Sequence, residues 1–331
     1  MPHALSPSLA LLLVIVGVAL TYFGAELLIR GAARLARRFG MSPFVIGVTV
    51  VAFGTSAPEL FASVRASLEG AGELGVGNVV GSNIANICLI LGIGALLAPI
   101  AVNSLVIKRD APIMCGISLL AAVTMLDQRI TRFDGALLLA GIVAYVCFNY
   151  WRGLKDPKTR EQALELEHEH GLQLEKNIHP RLLPNLLFTI IGLVGLTGGA
   201  ALLVDGSVDL ARWAGVPEIV IGATIVAFGT SVPELAASIQ AARKGHADIA
   251  IGNVLGSNVF NLLCVLGAAA LARPITVTAH TLKWHLPAML LVSILIIPIM
   301  GSGRRIARVE GTLLLLAYFA YAVGAYVLRL A

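Results

Sequence analysis

Residues 50–64 read VVAFGTSAPELFASV, and residues 225–239 read IVAFGTSVPELAASI. Each stretch sits in a run apolar enough to cross a bilayer, yet each carries a carboxylate, Glu59 or Glu234, directly after a proline. A charge and a helix breaker are among the costliest things to place at membrane depth, because hydrocarbon supplies neither counter-charge nor hydrogen-bond partner. A chain that places both there twice is keeping them for a purpose.

The composition agrees with a membrane setting. The 331 residues are 57% hydrophobic and only 13% charged, against about 25% charge in soluble domains. The net charge of +5 does not point to a nucleic-acid partner. No basic patch is interleaved with aromatics, and the Lys and Arg residues cluster between apolar runs, as they do in cytoplasmic loops. Cys88, Cys115, Cys147 and Cys264 stand singly in apolar runs without CxxC spacing. They read as small buried hydrophobes rather than as zinc ligands or a disulfide framework. The apolar run near the start has no preceding Lys or Arg and no convincing cleavage site, so it is expected to be a retained transmembrane helix.

A span needs about 20 apolar residues. Ten such runs fall at roughly 8–29, 42–66, 76–98, 107–126, 134–151, 184–205, 217–241, 249–271, 284–300 and 309–328. Between the fifth and sixth lies the one long polar stretch, expected to be a linker over 152–183. Its His168-Glu169-His170 lacks the spacing of a helical zinc pair and reads as a solvated loop. Placing the N-terminus outside puts 17 of the 24 Lys and Arg residues in inner loops. That bias predicts both termini outside and the long loop in the cytoplasm.

The two quoted stretches belong to a longer duplication. Glu59 and Glu234 lie 175 positions apart. At that offset, residues 47–100 align with residues 222–275 without a gap and with about half the positions identical, an internal repeat. Fainter matches extend it, RITRFDGALLL to RIARVEGTLLL with one residue of slip. The expected fold is therefore all-α and polytopic, with ten transmembrane helices as two five-helix repeats, 1–151 and 184–331. Five is odd, so the second copy enters the membrane from the opposite side. Inverted repeats of this kind are a transporter architecture, with the site near the midplane where the copies meet.

Ser56-Ala57-Pro58-Glu59 and Ser231-Val232-Pro233-Glu234 also fit a capping box, in which Glu would reach back to a backbone N–H. A cap in mid-membrane, however, implies a helix that stops and restarts there. Pro58 and Pro233 supply the break by removing an N–H and crowding a carbonyl. Irregular backbone at that depth is tolerated where it lines a cavity. Downstream, Asn78, Ser82 and Asn86 are spaced four apart and share one helical stripe, as do Asn253, Ser257 and Asn261. Alone, such residues could be helix–helix glue. Beside the broken helices they add amide and hydroxyl oxygens to two carboxylates. With no thiolate or imidazole in the set, these hard donors suit Ca²⁺ or Na⁺ rather than Zn²⁺ or Cu. Two negative charges are balanced by one Ca²⁺ or two Na⁺.

GTSAPE with GSNIAN, and GTSVPE with GSNVFN, resemble the α-repeats of the sodium/calcium exchanger family, in order, spacing and duplication. The resemblance covers essentially the whole chain outside the central loop. It implies a Na⁺/Ca²⁺ antiporter working by alternating access in a bacterial or archaeal cell membrane, with the ions as cargo and no cofactor. It also implies a ligand set. Glu59 and Glu234 would stand at the centre, with hydroxyls from Ser56, Ser231, Ser82 and Ser257. Ala52, Thr55, Ala227 and Thr230 would give mainly carbonyls, and Asn86 and Asn261 would complete the middle. Some relatives, the potassium-dependent ones included, carry Asp where this chain has Asn261, which weakens the case for K⁺ co-transport. Proton-exchanging relatives typically carry a GN-x-x-E element where this chain has GTS-x-PE, which favours Na⁺ as counter-ion. The alternative is a proton-driven Ca²⁺ or Na⁺/H⁺ antiporter. A channel fits poorly with two inverted half-sites in one chain. An intramembrane hydrolase would need a nucleophile elbow, and the G-x-S here lacks the Gly that follows.

Overall fold

The computed structural model describes residues 6–39, 41–155, 182–216 and 227–330. The central linker with His168-Glu169-His170 and the first ten residues of the span expected over 217–241 lie outside them. Helix α1 (Pro7–Phe39) is followed by α2 (Pro43–Thr55), α3 (Ala57–Leu68) and α4 (Gly72–Leu97). Next come α5 (Ala111–Val123) and α6 (Arg132–Lys155). The second half holds α7 (Leu182–Trp213), a short turn Ala227–Gly229, α8 (Val232–Arg243) and α9 (Ala247–Ala272). It ends with α10 (Thr281–Gly301) and α11 (Arg308–Leu330). Among the described residues six helices, α1, α4, α6, α7, α9 and α10, are long and apolar enough to span a bilayer. The pair α2/α3, bent by 45° at Ser56, makes a seventh if taken as one span.

Element boundaries repeat at the offset found in the sequence. Helices α3 and α8 start 175 positions apart, as do α4 and α9 and also α1 and α7. So do π-helical segments at Asn86–Ile90 and Asn261–Val265, and at Val106–Asp110 and Thr281–His285. Four two-residue strands pair across the halves. Strand β1 (Ile100–Ala101) pairs antiparallel with β4 (Arg305–Ile306), and β2 (Arg129–Ile130) with β3 (Ile275–Thr276). Each ladder is extended by one more bond, Val102 N–H to Arg304 O and Val277 N–H to Gln128 O, both 2.8 Å. Gln128 and Arg304, which turn the chain into β2 and β4, share a left-handed backbone, φ 64° and 54°.

Helices α4 and α9 form the centre. In each, 83% of the most apolar window is buried, against 28% for α1, α6, α7 and α10. That difference follows from sequence: α4 and α9 carry the Gly, Ser and Asn that allow close packing, whereas α1 turns Leu11, Ile15 and Phe23 outward. The outward apolar faces suit lipid. Helices α1 and α7 form a long antiparallel pair at the side. Gly17, Gly24 and Gly31 repeat every seven residues on α1, and Gly192, Gly199 and Gly206 do so on α7. A Cβ added at Gly17 would lie 2.5 Å from the Leu203 backbone nitrogen, and one at Gly24 would strike the Leu196 backbone. The backbones touch there, as at small-residue seams between membrane helices. Glu26 of α1 accepts from Lys244, just past α8, at 2.8 Å, tying this pair to the helix that carries Glu234.

Candidate cation site

The path to the site begins with α2, which unwinds into a π-helical segment at Gly47–Val51 before re-forming as far as Thr55. The break expected from Pro58 falls at Ser56, and α3 starts with Pro58 and Glu59 in its first turn. The second copy repeats this: Ser231 precedes α8, whose first turn holds Pro233 and Glu234. Both carboxylates are 1% exposed. Gly252 and Gly256 of α9 let α2 come close, since a Cβ at Gly256 would lie 2.7 Å from Val48 Cα. That approach carries Thr55 and Ser56 to the second half of the molecule.

Four contacts then cross between the halves. Thr55 Oγ1 donates to Asn253 Oδ1 at 3.1 Å and lies 3.4 Å from Ser257 Oγ. Ser56 Oγ donates to Glu234 Oε1 at 3.3 Å. Asn86 Nδ2 donates to Asn258 Oδ1 at 3.0 Å. Asn253 is fixed from behind by α8, its Nδ2 donating to Ser238 Oγ at 3.0 Å. Asn78 makes the equivalent bond to Ser63, also 3.0 Å.

Capping does not account for the glutamates. Ser56 and Ser231 make no side-chain cap bond. Among the described residues neither oxygen of Glu59 has a hydrogen-bond partner, nor does Glu234 Oε2. No Lys or Arg among the described residues forms an ion pair with either. Further buried amide atoms have no hydrogen-bond partner among the described residues: Asn86 Oδ1 and both amide atoms of Asn261. Buried polar groups without partners are costly, and here the segments opened by Asn261 and Asn86 pack against α3 and α8, the helices that carry Glu59 and Glu234. The arrangement is suited to holding a dehydrated cation by hard oxygens.

Of the twelve residues expected at the site, Thr55, Ser56, Glu59, Glu234, Ser257, Asn86 and Asn261 are buried here, with Ser82 and Ser231. Thr230 is half-buried. The Ala52 carbonyl already accepts from Ser56 N–H at 3.0 Å. Ala227 opens the short turn before α8. The sequence stripe missed Asn83 and Asn258, both 1% exposed. Their place beside GS in both copies was the available signal. It also missed that Asn86 and Asn261 each open a π-helical segment, a distortion frequent at functional sites.

Comparison with known proteins follows the same residues. The family described as "Sodium/calcium exchanger protein" matches residues 9–151 and 184–327. The chain is 39% identical to the inner membrane protein YrbG of Escherichia coli (strain K12), over 87% of each. It is 32% identical to the sodium/calcium exchanger MaX1 of Methanosarcina acetivorans, over 94% of this chain and 97% of that one. The crystal form of the sodium-calcium exchanger NCX_Mj soaked with 10 mM Na⁺ and zero Ca²⁺ superposes with a TM-score of 0.82 at 31% identity, covering 95% of this chain and 98% of that one. With a family match over both halves and relatives above 30% identity across nearly their whole length, the chain belongs to the sodium/calcium exchanger family, as a prokaryotic membrane antiporter and not an enzyme.

Proposed function

We propose that the protein exchanges Ca²⁺ against Na⁺ by alternating access, with Glu59 and Glu234 as the charge that binds the ions. The observation that carries this is the pair of buried carboxylates, one from each copy, with three of their four oxygens unpartnered and no Lys or Arg paired to them among the described residues. Buried charge of that kind requires a counter-ion. One Ca²⁺ or two Na⁺ neutralise it equally, which is what an exchanger needs of a shared site. Hydroxyls of Ser56, Ser231, Ser82 and Ser257, amides of Asn86 and Asn261, and the backbone around Ala52, Thr55, Ala227 and Thr230 complete the ligand set.

The proposed topology has ten spans in two inverted five-helix repeats, 1–151 and 184–331, joined by a cytoplasmic linker, with both termini outside. Two observations support it. Element boundaries recur at an offset of 175 through most of both halves, with one residue of slip at the last strand and helix of each. The strand pairs β1–β4 and β2–β3 each join two loops that the basic-residue bias places on one side of the membrane.

Ion flux in proteoliposomes tests the coupling. An outward Na⁺ gradient should drive ⁴⁵Ca²⁺ uptake, and an outward H⁺ gradient at equal Na⁺ should not. The reverse outcome would establish the proton-driven alternative.

A further inference from the structure

We propose that Asn258 is a positioning residue: it holds the amide of Asn86 so that its oxygen, not its nitrogen, faces the cation. This rests on Asn86 being a ligand, as argued above. An asparagine amide presents an acceptor at one end and donors at the other, and only the acceptor binds a cation. Something must choose. Asn86 donates Nδ2 to Asn258 Oδ1 at 3.0 Å, which leaves Asn86 Oδ1 buried and without a partner. Asn258 is in turn oriented, because its own Nδ2 donates to Met114 Sδ at 3.5 Å and thereby turns Oδ1 toward Asn86. The chain Met114–Asn258–Asn86 thus converts a weak sulfur acceptor into the setting of a ligand oxygen.

The duplication supplies an internal contrast. Asn83 occupies the place of Asn258 in the first copy and donates Nδ2 to Met289 Sδ at 3.7 Å. Yet among the described residues Asn83 Oδ1 accepts nothing, and the amide of Asn261, which stands where Asn86 does, has neither atom partnered. One amide is therefore preset by a hydrogen bond and its counterpart is not. Ligand-orienting groups behind a metal site typically change affinity by about 10–100-fold when removed.

The test is the apparent KM for Ca²⁺ and Vmax of Na⁺-driven ⁴⁵Ca²⁺ uptake by the full chain in proteoliposomes. Asn258→Leu should raise KM about tenfold with Vmax within about twofold. Asn258→Asp keeps an acceptor opposite Asn86 Nδ2, although it loses the N–H given to Met114, and should return KM to within about threefold of wild type. Unchanged KM in Asn258→Leu, or an equal rise in Asn258→Asp, would overturn the proposal. Should Asn258→Leu fail to fold, Asn258→Ser carries the same expectation. Asn86→Leu separates the two levels: unchanged KM there means that Asn86 is not a ligand, whereas a raised KM with a silent Asn258→Leu leaves the site intact and refutes only the positioning role.

Discussion

Ser56 reaches across the duplication to Glu234: its Oγ donates to Oε1 at 3.3 Å, although the two residues are 178 positions apart. The carboxylate of the second copy is thus met by the broken helix of the first. Glu59→Gln and Glu234→Gln keep the shape of the side chain and remove one unit of charge. A helix-capping role would lose about 1 kcal/mol or less of stability from either change. A cation ligand in a water-poor site loses half of the neutralising charge, a penalty of about 3 kcal/mol or more and thus about a hundredfold in transport. Both variants should insert and melt like wild type while Na⁺-driven ⁴⁵Ca²⁺ uptake falls to background. Near-normal exchange by either purified variant would end the proposed mechanism.

The seam between α1 and α7 makes a stability prediction that is independent of ions. Gly24→Ala places a methyl group against the Leu196 backbone, where no flexible side-chain end can yield. Such overpacking costs about 1–3 kcal/mol. Gly198→Ala lies on the same helix pair with nothing among the described residues within 4 Å of the new carbon, and it should gain slightly from helix propensity. Thermal melts of the detergent-purified variants should show a loss for Gly24→Ala and none for Gly198→Ala. Equal melting temperatures would mean that the two helices separate more easily than their packing indicates.

These sites also show what the sequence could disclose. A duplicated carboxylate after a duplicated proline is legible without coordinates, because its cost at membrane depth has few explanations. The bend at Ser56 followed from Pro58 for the same reason. The glycine seam was equally periodic, but a seven-residue spacing inside an apolar run looks like any other span until a second helix is laid against it. Asn83 and Asn258 escaped because they lie off the four-residue stripe through Asn86 and Asn261. Their partners come from the other copy, and the π-helical segments at Asn86 and Asn261 shift the register that a regular helix would impose.

Membrane orientation rests on charge and is directly measurable. A single cysteine at position 169, introduced as Glu169→Cys with Cys88, Cys115, Cys147 and Cys264 replaced by Ala, should resist an impermeant maleimide in intact cells and react after permeabilisation. The basic residues flanking the linker favour the cytoplasm by the positive-inside rule. Rapid labelling from outside would invert the whole topology, carrying both β-strand pairs to the opposite faces.

Asn261 offers the sharpest test of how many charges the site is built for. It is fully buried and neither atom of its amide has a partner, so an added charge there would have no local compensation. Asn261→Asp changes little in shape and sets a third carboxylate beside Glu59 and Glu234. In its protonated form the new side chain resembles the native amide in size and in lacking charge, and the two glutamates still match one Ca²⁺. Ionised, it leaves one negative charge over in a low-dielectric site, where charge is far more strongly felt than in water. Ca²⁺ is then held too tightly, and release slows. The variant should therefore transport like wild type on the acid side of neutrality. On the alkaline side both KM and Vmax should fall, with a pH slope approaching about tenfold per unit for a single proton. Initial rates of Na⁺-driven ⁴⁵Ca²⁺ uptake across neutral pH, wild type beside variant, measure this. Parallel profiles would remove Asn261 from the ion cluster, since a carboxylate touching the bound cation has to make transport answer to protons.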